Sequence, residues 1–161
     1  MHHALRFLAL SALVLTVAAC DSADPIAPEP QATTGTVSGR ISLPIGSGGD
    51  LSNTRVAMYA DDDDWANDQY VLQVAAGSDG SFTFNNVVPG TYYFDAWKDN
   101  DNSGGFSNGD YFGVLGSVSA AGANLTPMQV AAGQSTAVNF QISILGGAAR
   151  TAQLRQLRSA D

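Results

Sequence analysis

Asp79-Gly80-Ser81-Phe82-Thr83-Phe84-Asn85-Asn86-Val87-Val88-Pro89-Gly90-Thr91-Tyr92 decides the fold. Asp79-Gly80 is a turn pair, because Gly tolerates the positive φ that tight turns demand. Phe82 and Phe84 lie two apart, the period of a strand with one face buried. Val88-Pro89-Gly90 turns the chain again, and Tyr92 and Phe94 continue the inner face. Tyr93, Asp95 and Trp97 then point to the outer face of the same strand.

The same period extends outward from this segment. Val37, Gly39, Ile41 and Leu43 alternate with Ser38, Arg40 and Ser42. Arg55–Ala60 and Tyr70–Ala75 are short strands, Ser81–Phe84 forms a hairpin across Ser78-Asp79-Gly80, and Thr91–Lys98 follows. Tyr111–Leu115 is short and apolar, and Leu125–Val130 is interrupted by Pro127, as at an edge. In Ala137–Leu145, Val138, Phe140, Ile142 and Ile144 face one way. No stretch within 35–145 shows sustained helical spacing. About seven short strands with glycine-rich turns predict an all-β protein, an antiparallel β-sandwich.

Residues 79–92 match D-G-x-F-x-F-x-x-V-x-P-G-x-Y at every position and resemble the signature of carboxypeptidase-regulatory-like domains. Gly39 and Val56-x-Met58-Tyr59 fit that family's opening strands. The resemblance covers roughly 35–145 and implies a transthyretin-like (prealbumin-like) sandwich. It says little about activity, since such domains occur as non-catalytic modules.

The ends carry different information. Met1–Ala19 has one fixed charge, Arg6, and an apolar run from Phe7 that ends in small residues. That is the layout of a secretory signal, and it is shorter than the span of about 20 residues a membrane helix needs. Val17-Ala18-Ala19-Cys20 resembles the bacterial lipobox, which implies cleavage before Cys20 and acylation of its thiol. Two or three acyl chains would tether the protein durably, at about 0.8 kcal/mol per buried CH₂. The predicted organisation is a signal at 1–19 and a lipidated Cys20 with a Pro-rich, disordered tether at 20–34. The sandwich follows at 35–145, and a tail at 146–161 is disordered or a short helix. The expected location is the bacterial envelope, on the inner or outer membrane.

Loss of 1–19 removes Arg6 and both histidines. Six Lys and Arg then face fifteen Asp and Glu, a formal charge of −9. Such a balance argues against nucleic acid and suits cations. With no His and with Cys20 acylated, Ser-His-Asp and Cys-His catalysis and His- or Cys-based zinc sites are excluded. Paired carboxylates remain, but nothing marks a partner for Asp95, and the expectation is a protein that is not an enzyme.

The most specific local motif is Asp99-Asn100-Asp101-Asn102-Ser103-Gly104-Gly105-Phe106-Ser107-Asn108-Gly109-Asp110. It resembles the calcium loop of EF-hand proteins. Asp99, Asp101 and Ser103 stand at positions 1, 3 and 5, and Gly104 at the bend. The Gly105 carbonyl is at 7, Ser107 at 9 and Asp110 at 12. Alternate side chains of a curled loop converge on one point, which suits a cation seeking six to eight oxygens. The departures are Asp110 in place of a longer Glu, Ser at position 5, and a strand in place of the preceding helix; they imply weaker binding.

Asp61–Asp64 with Asp68 is a second acidic cluster, suited to full solvation or to a cation; without Gly to curl it, solvation is preferred. Trp65, Tyr93 and Trp97 are candidate ligand-binding aromatics, with Tyr70 also expected to be partly exposed. They would stack on sugars if coplanar, although ordinary sheet packing is preferred. The predicted function is a membrane-anchored, non-catalytic envelope module stabilised by calcium. The alternatives are a carbohydrate-binding module or a protein-interaction subunit of an envelope complex.

Overall fold

A computed structural model of the chain describes residues 31–119 and 122–146. The signal 1–19, Cys20, most of the tether and all of the tail beyond Gly146 lie outside them.

Within the described residues the protein is an all-β sandwich. One sheet has three strands in the order β10-β1-β4, where β1 is Gly35–Ser42, β4 Ser81–Val87 and β10 Ser135–Gln141. The other sheet runs β11-β6-β5-β2-β3. Here β2 is Arg55–Tyr59, β3 Leu72–Ala75, β5 Gly90–Lys98, β6 Tyr111–Val114 and β11 Ser143–Ile144. β9, Met128–Val130, pairs with the start of β5, and β7, Gly116–Ser119, forms a separate ribbon with β8, Gly122–Leu125. One turn of helix, α1, spans Asp62–Ala66.

The core between the sheets follows the period-two pattern. Val37 and Ile41 of β1, Phe82 and Phe84 of β4, Met58 of β2, Phe94 of β5 and Val138 of β10 meet there. Phe84 packs tilted against Phe94 with ring centres 6.1 Å apart. Each such side chain contributes about 1.5–3 kcal/mol of burial.

The opening segment owes its shape to two clips. Asp79 accepts hydrogen bonds from the Ser81 amide and hydroxyl, at 3.0 and 2.7 Å, and pairs with Arg40 at 2.6 Å. Gly80 has φ +81°, and a Cβ there would lie 2.2 Å from the Ile41 carbonyl oxygen. Farther on, the Tyr92 hydroxyl donates to the Val88 carbonyl at 2.8 Å, closing the Pro89-Gly90 turn. The tyrosine of the motif is therefore both a core residue and a turn clip.

Four expectations change. Ser78-Asp79-Gly80 does not join a paired hairpin: β3 pairs with β2 and β4 with β1, so the turn carries the chain from one sheet to the other. β1 and β10 pair in parallel, within a sandwich otherwise antiparallel and cut into more, shorter strands than seven. Leu125–Val130 is divided between β8 and β9. The alternation over 137–145 breaks after Ile142: Val138 and Ile142 are fully buried, but Ile144 is 55% exposed and Leu145 buried. The chain crosses to the second sheet there, where β11 pairs with β6.

Candidate functional site

The second sheet has an outer face, and it is largely covered. Ala57 and Tyr59 of β2 and Phe112 and Val114 of β6 form a second apolar cluster with Trp65, Phe106 and Leu145. Trp65 comes from α1 and Phe106 from the 99–110 loop, while Val118, Ala123 and Leu125 of the β7–β8 ribbon pack at the margin. Phe106 stands 5.0 Å from the Trp97 ring and 5.3 Å, edge-on, from Phe112. Position 8 of the loop thus anchors it to the sheet.

Around that anchor the loop is curled, with Asn102 at φ +55° and Gly104 at φ +75°. Asp99 accepts from the amides of Ser103 at 3.1 Å and Gly104 at 2.7 Å, and Asp101 from the Ser103 amide at 3.0 Å. The Ser107 hydroxyl donates to Asp101 at 2.8 Å, and the Ser103 hydroxyl to the Gly105 carbonyl at 2.9 Å. Asp110 is fully buried. It accepts from the amides of Asn100 and Ser107, both at 2.9 Å, and from Trp97 Nε1 at 3.2 Å. One carboxylate oxygen from each of Asp99, Asp101 and Asp110 lies within 4.8 Å of the others. Two oxygens ligating one calcium at about 2.4 Å lie at most about 4.8 Å apart, so the three are spaced as a shared cation requires. The loop hydroxyls of Ser107, then Ser103, hold the Asp101 carboxyl down at about 2. All six positions read as ligands, Asp99, Asp101, Ser103, Gly105, Ser107 and Asp110, therefore belong to one curled loop.

The other candidates fare differently. Trp65, expected partly exposed, is only 5% exposed. Its Nε1 donates to Asp95 at 3.0 Å, because α1 turns it into the apolar cluster over the sheet. Its ring is unavailable for stacking on a sugar. Tyr93 and Trp97 are half-buried on the outer face, and Tyr70 is 43% exposed. The acidic run is solvent-exposed at Asp61, Asp62 and Asp63, as expected, but it forms a helical turn rather than a loop. Asp61 caps α1 by accepting the Asp64 amide at 2.8 Å, and Asp62–Asp64 occupy the first turn, where the helix dipole favours negative charge. The spacing of Asp61 to Asp64, with Trp65 following, is a helix-start signal that periodicity alone passes over.

Sequence reading missed Arg55 and Tyr59, and placed Asp68 only in the acidic cluster. Asp95 is wholly buried, with Trp65 Nε1 on one oxygen and the Tyr59 hydroxyl at 3.3 and 3.4 Å. Tyr59 donates more closely to Asp68, at 2.8 Å, and Arg55 grips Asp68 at 3.0 and 3.1 Å while lying 4.0 Å from Asp95. Burial works against the Arg55 charge, but the Asp68 hydrogen bonds and the charge of Asp95 outweigh it and raise its pKa. Asp95 is thus a structural carboxylate, held by donors that offset its desolvation.

Two adjoining hollows open beside this network, of about 350 and about 400 Å³, both lined by Asn53 and Arg55. The first runs along β3 at Gln73. The second reaches Trp97, Lys98 and the start of the 99–110 loop.

Comparison with known proteins bears on the sandwich. Residues 33–101, under half of the chain, match the family model described as polysaccharide lyase family 4, domain II. No curated protein matches the chain. Among solved structures, a Pseudomonas aeruginosa protein described as a candidate carbohydrate-binding protein is 16% identical at a TM-score of 0.42, over 70% of this chain and 90% of that one. The minor pilin of Streptococcus agalactiae is 10% identical at 0.40, over 73% of this chain and 47% of the pilin. A DUF3823 family protein from Parabacteroides merdae is 16% identical at 0.34, over 71% of this chain and 47% of that one.

Proposed function

We propose that the protein is a membrane-tethered, non-catalytic β-sandwich module whose 99–110 loop takes calcium. The observation that carries the reading is the convergence of the Asp99, Asp101 and Asp110 carboxylates within 4.8 Å. Ser103, Ser107 and the Gly105 carbonyl supply further oxygens, giving a hard, all-oxygen donor set of the kind calcium prefers. Calcium would neutralise three acidic groups and rigidify a loop that already rests on Phe106. The family-model match to one domain of a polysaccharide lyase supports a sandwich module and assigns no catalytic residue here. The lack of His beyond residue 3 supports the non-catalytic reading.

Calorimetric titration of calcium, with melting curves in calcium and in chelator, tests the metal reading. Expected are a binding heat and a melting temperature raised by calcium, with about 2.7 kcal/mol gained at a hundredfold excess over Kd. Asp101→Asn should weaken both. An unchanged melting temperature and no heat up to millimolar calcium would sink the idea. The tether is tested by detergent phase partitioning of the full chain made in a bacterial host. The wild type should enter the detergent phase and Cys20→Ser the aqueous one; an aqueous wild type overturns the tether. A second reading, a surface carbohydrate-binding module, is favoured by the polar hollows around Arg55 rather than by the Trp65, Tyr93 and Trp97 set.

A further inference from the structure

We infer that the paired hollows form one elongated cleft, centred on Arg55, that binds a neutral polysaccharide. This rests on the second reading above, names its site and ligand class, and replaces the aromatic set with different residues. Arg55 and Asn53 line both hollows, so the two adjoin at that point. Their volumes, about 350 and about 400 Å³, fall within the roughly 300–1,000 Å³ of small-molecule sites. Together they run from Gln73 on the edge strand β3 to Asn100 and Asn102 in the 99–110 loop.

The lining chemistry selects the ligand. Asn53, Gln73, Asn100 and Asn102 are amides, each with donors and an acceptor, which is what adjacent hydroxyls on a sugar ring require. Arg55 lies over two aromatic rings, 5.9 Å from the Tyr70 ring centre and 5.6 Å from that of Trp97. The guanidinium covers part of both rings, so the amides and not the rings carry the recognition. Arg55 also carries a buried Nε–H with no hydrogen-bond partner among the described residues. That nitrogen is closed to solvent, so recognition falls to the amides.

Charge excludes acidic chains. Arg55 is offset by Asp68 and Asp95, and Lys98 donates to the Asp50 and Ser52 carbonyls with the Asp50 carboxylate 3.7 Å away. With Asp99 also in the wall, the cleft offers no free positive field, and the chain as a whole carries −8. A polyanion would be repelled.

The test is native electrophoresis of the detergent-solubilised full chain through gels holding hydroxyethyl cellulose, xylan, galactomannan or starch as neutral probes. Polygalacturonate and alginate serve as acidic ones. The variant is Asn53→Gly with Gln73→Ala. Gly keeps the φ +60° of Asn53, Gln73 is exposed, and neither residue lies in the 99–110 loop. The expected result is retardation of the wild type by at least one neutral gel and about tenfold weaker retention of the variant. The variant's melting temperature and calcium heat should be unchanged. Absence of retardation in every neutral gel, retardation in acidic gels alone, or equal retention of variant and wild type overturns the proposal. Calcium heat is read separately, so its absence with retention intact overturns the calcium reading alone.

Discussion

The two faces of the β11-β6-β5-β2-β3 sheet are sealed in different ways. On the inner face, Met58, Phe94 and Ala96 meet the side chains of a second sheet, and among the described residues no charged group is buried with them. On the outer face, Ala57, Tyr59, Phe112 and Val114 are covered by single anchors dropped from polar excursions, Trp65 from α1 and Phe106 from the 99–110 loop. Two fully buried carboxylates sit on that outer side, and each receives an indole N–H: Asp95 from Trp65 and Asp110 from Trp97. The inner seal is general and fixes the fold. The outer seal is specific and fixes where the loops stand, and the candidate calcium loop and the Arg55 cleft both lie there.

The largest expected effect probes that contrast directly. Phe94→Ala removes a fully buried ring between the sheets and should cost about 3–5 kcal/mol in chemical denaturation, since the cavity cannot collapse. Phe106→Ala should cost less, about 1–3 kcal/mol, because the loop can lift away without disturbing the strands. Its signature would instead be weaker calcium binding by calorimetry. Equal losses of stability at the two positions, or unchanged calcium affinity in Phe106→Ala, would break the comparison.

The inner face was legible because a period of two is a local pattern. Phe82, Phe84, Tyr92 and Phe94 announce themselves within thirteen residues, and the turns on either side of Phe82 and Phe84 are carried by Gly80 and Gly90. The 99–110 loop was legible for a similar reason, since its would-be ligands all lie on one short segment. The outer seal was not. Trp65 covers the sheet only because Asp61 caps a single helical turn, too short to leave a periodic trace. Arg55 and Asp68 are thirteen residues apart, and Asp95 is farther still, so their network exists only after β2 and β5 pair. Register across strands cannot be read from spacing along one. The step of Ile144 out of the core is likewise a change of sheet, not of pattern.

The smallest effect sharpens the polar side of the contrast. Asp101 sits at about 2 against an ordinary 3.8, first through the Ser107 hydroxyl and then through Ser103. A carboxyl depressed on folding contributes stability that is fully present above its unfolded value and is lost as pH falls through its folded one. That window here runs from about 3.8 down to about 2. Ser107→Ala deletes the leading donor, so in calcium-free buffer the Asp101 carboxyl should titrate closer to 3.8 when followed by carbon NMR. The acid limb of unfolding should move to higher pH with it. A carboxyl still titrating near 2 in the variant would mean that the Ser107 hydroxyl does not face Asp101 across the loop. The closure of the ring between positions 3 and 9 would then be lost, and with it the argument that these oxygens are gathered for one cation.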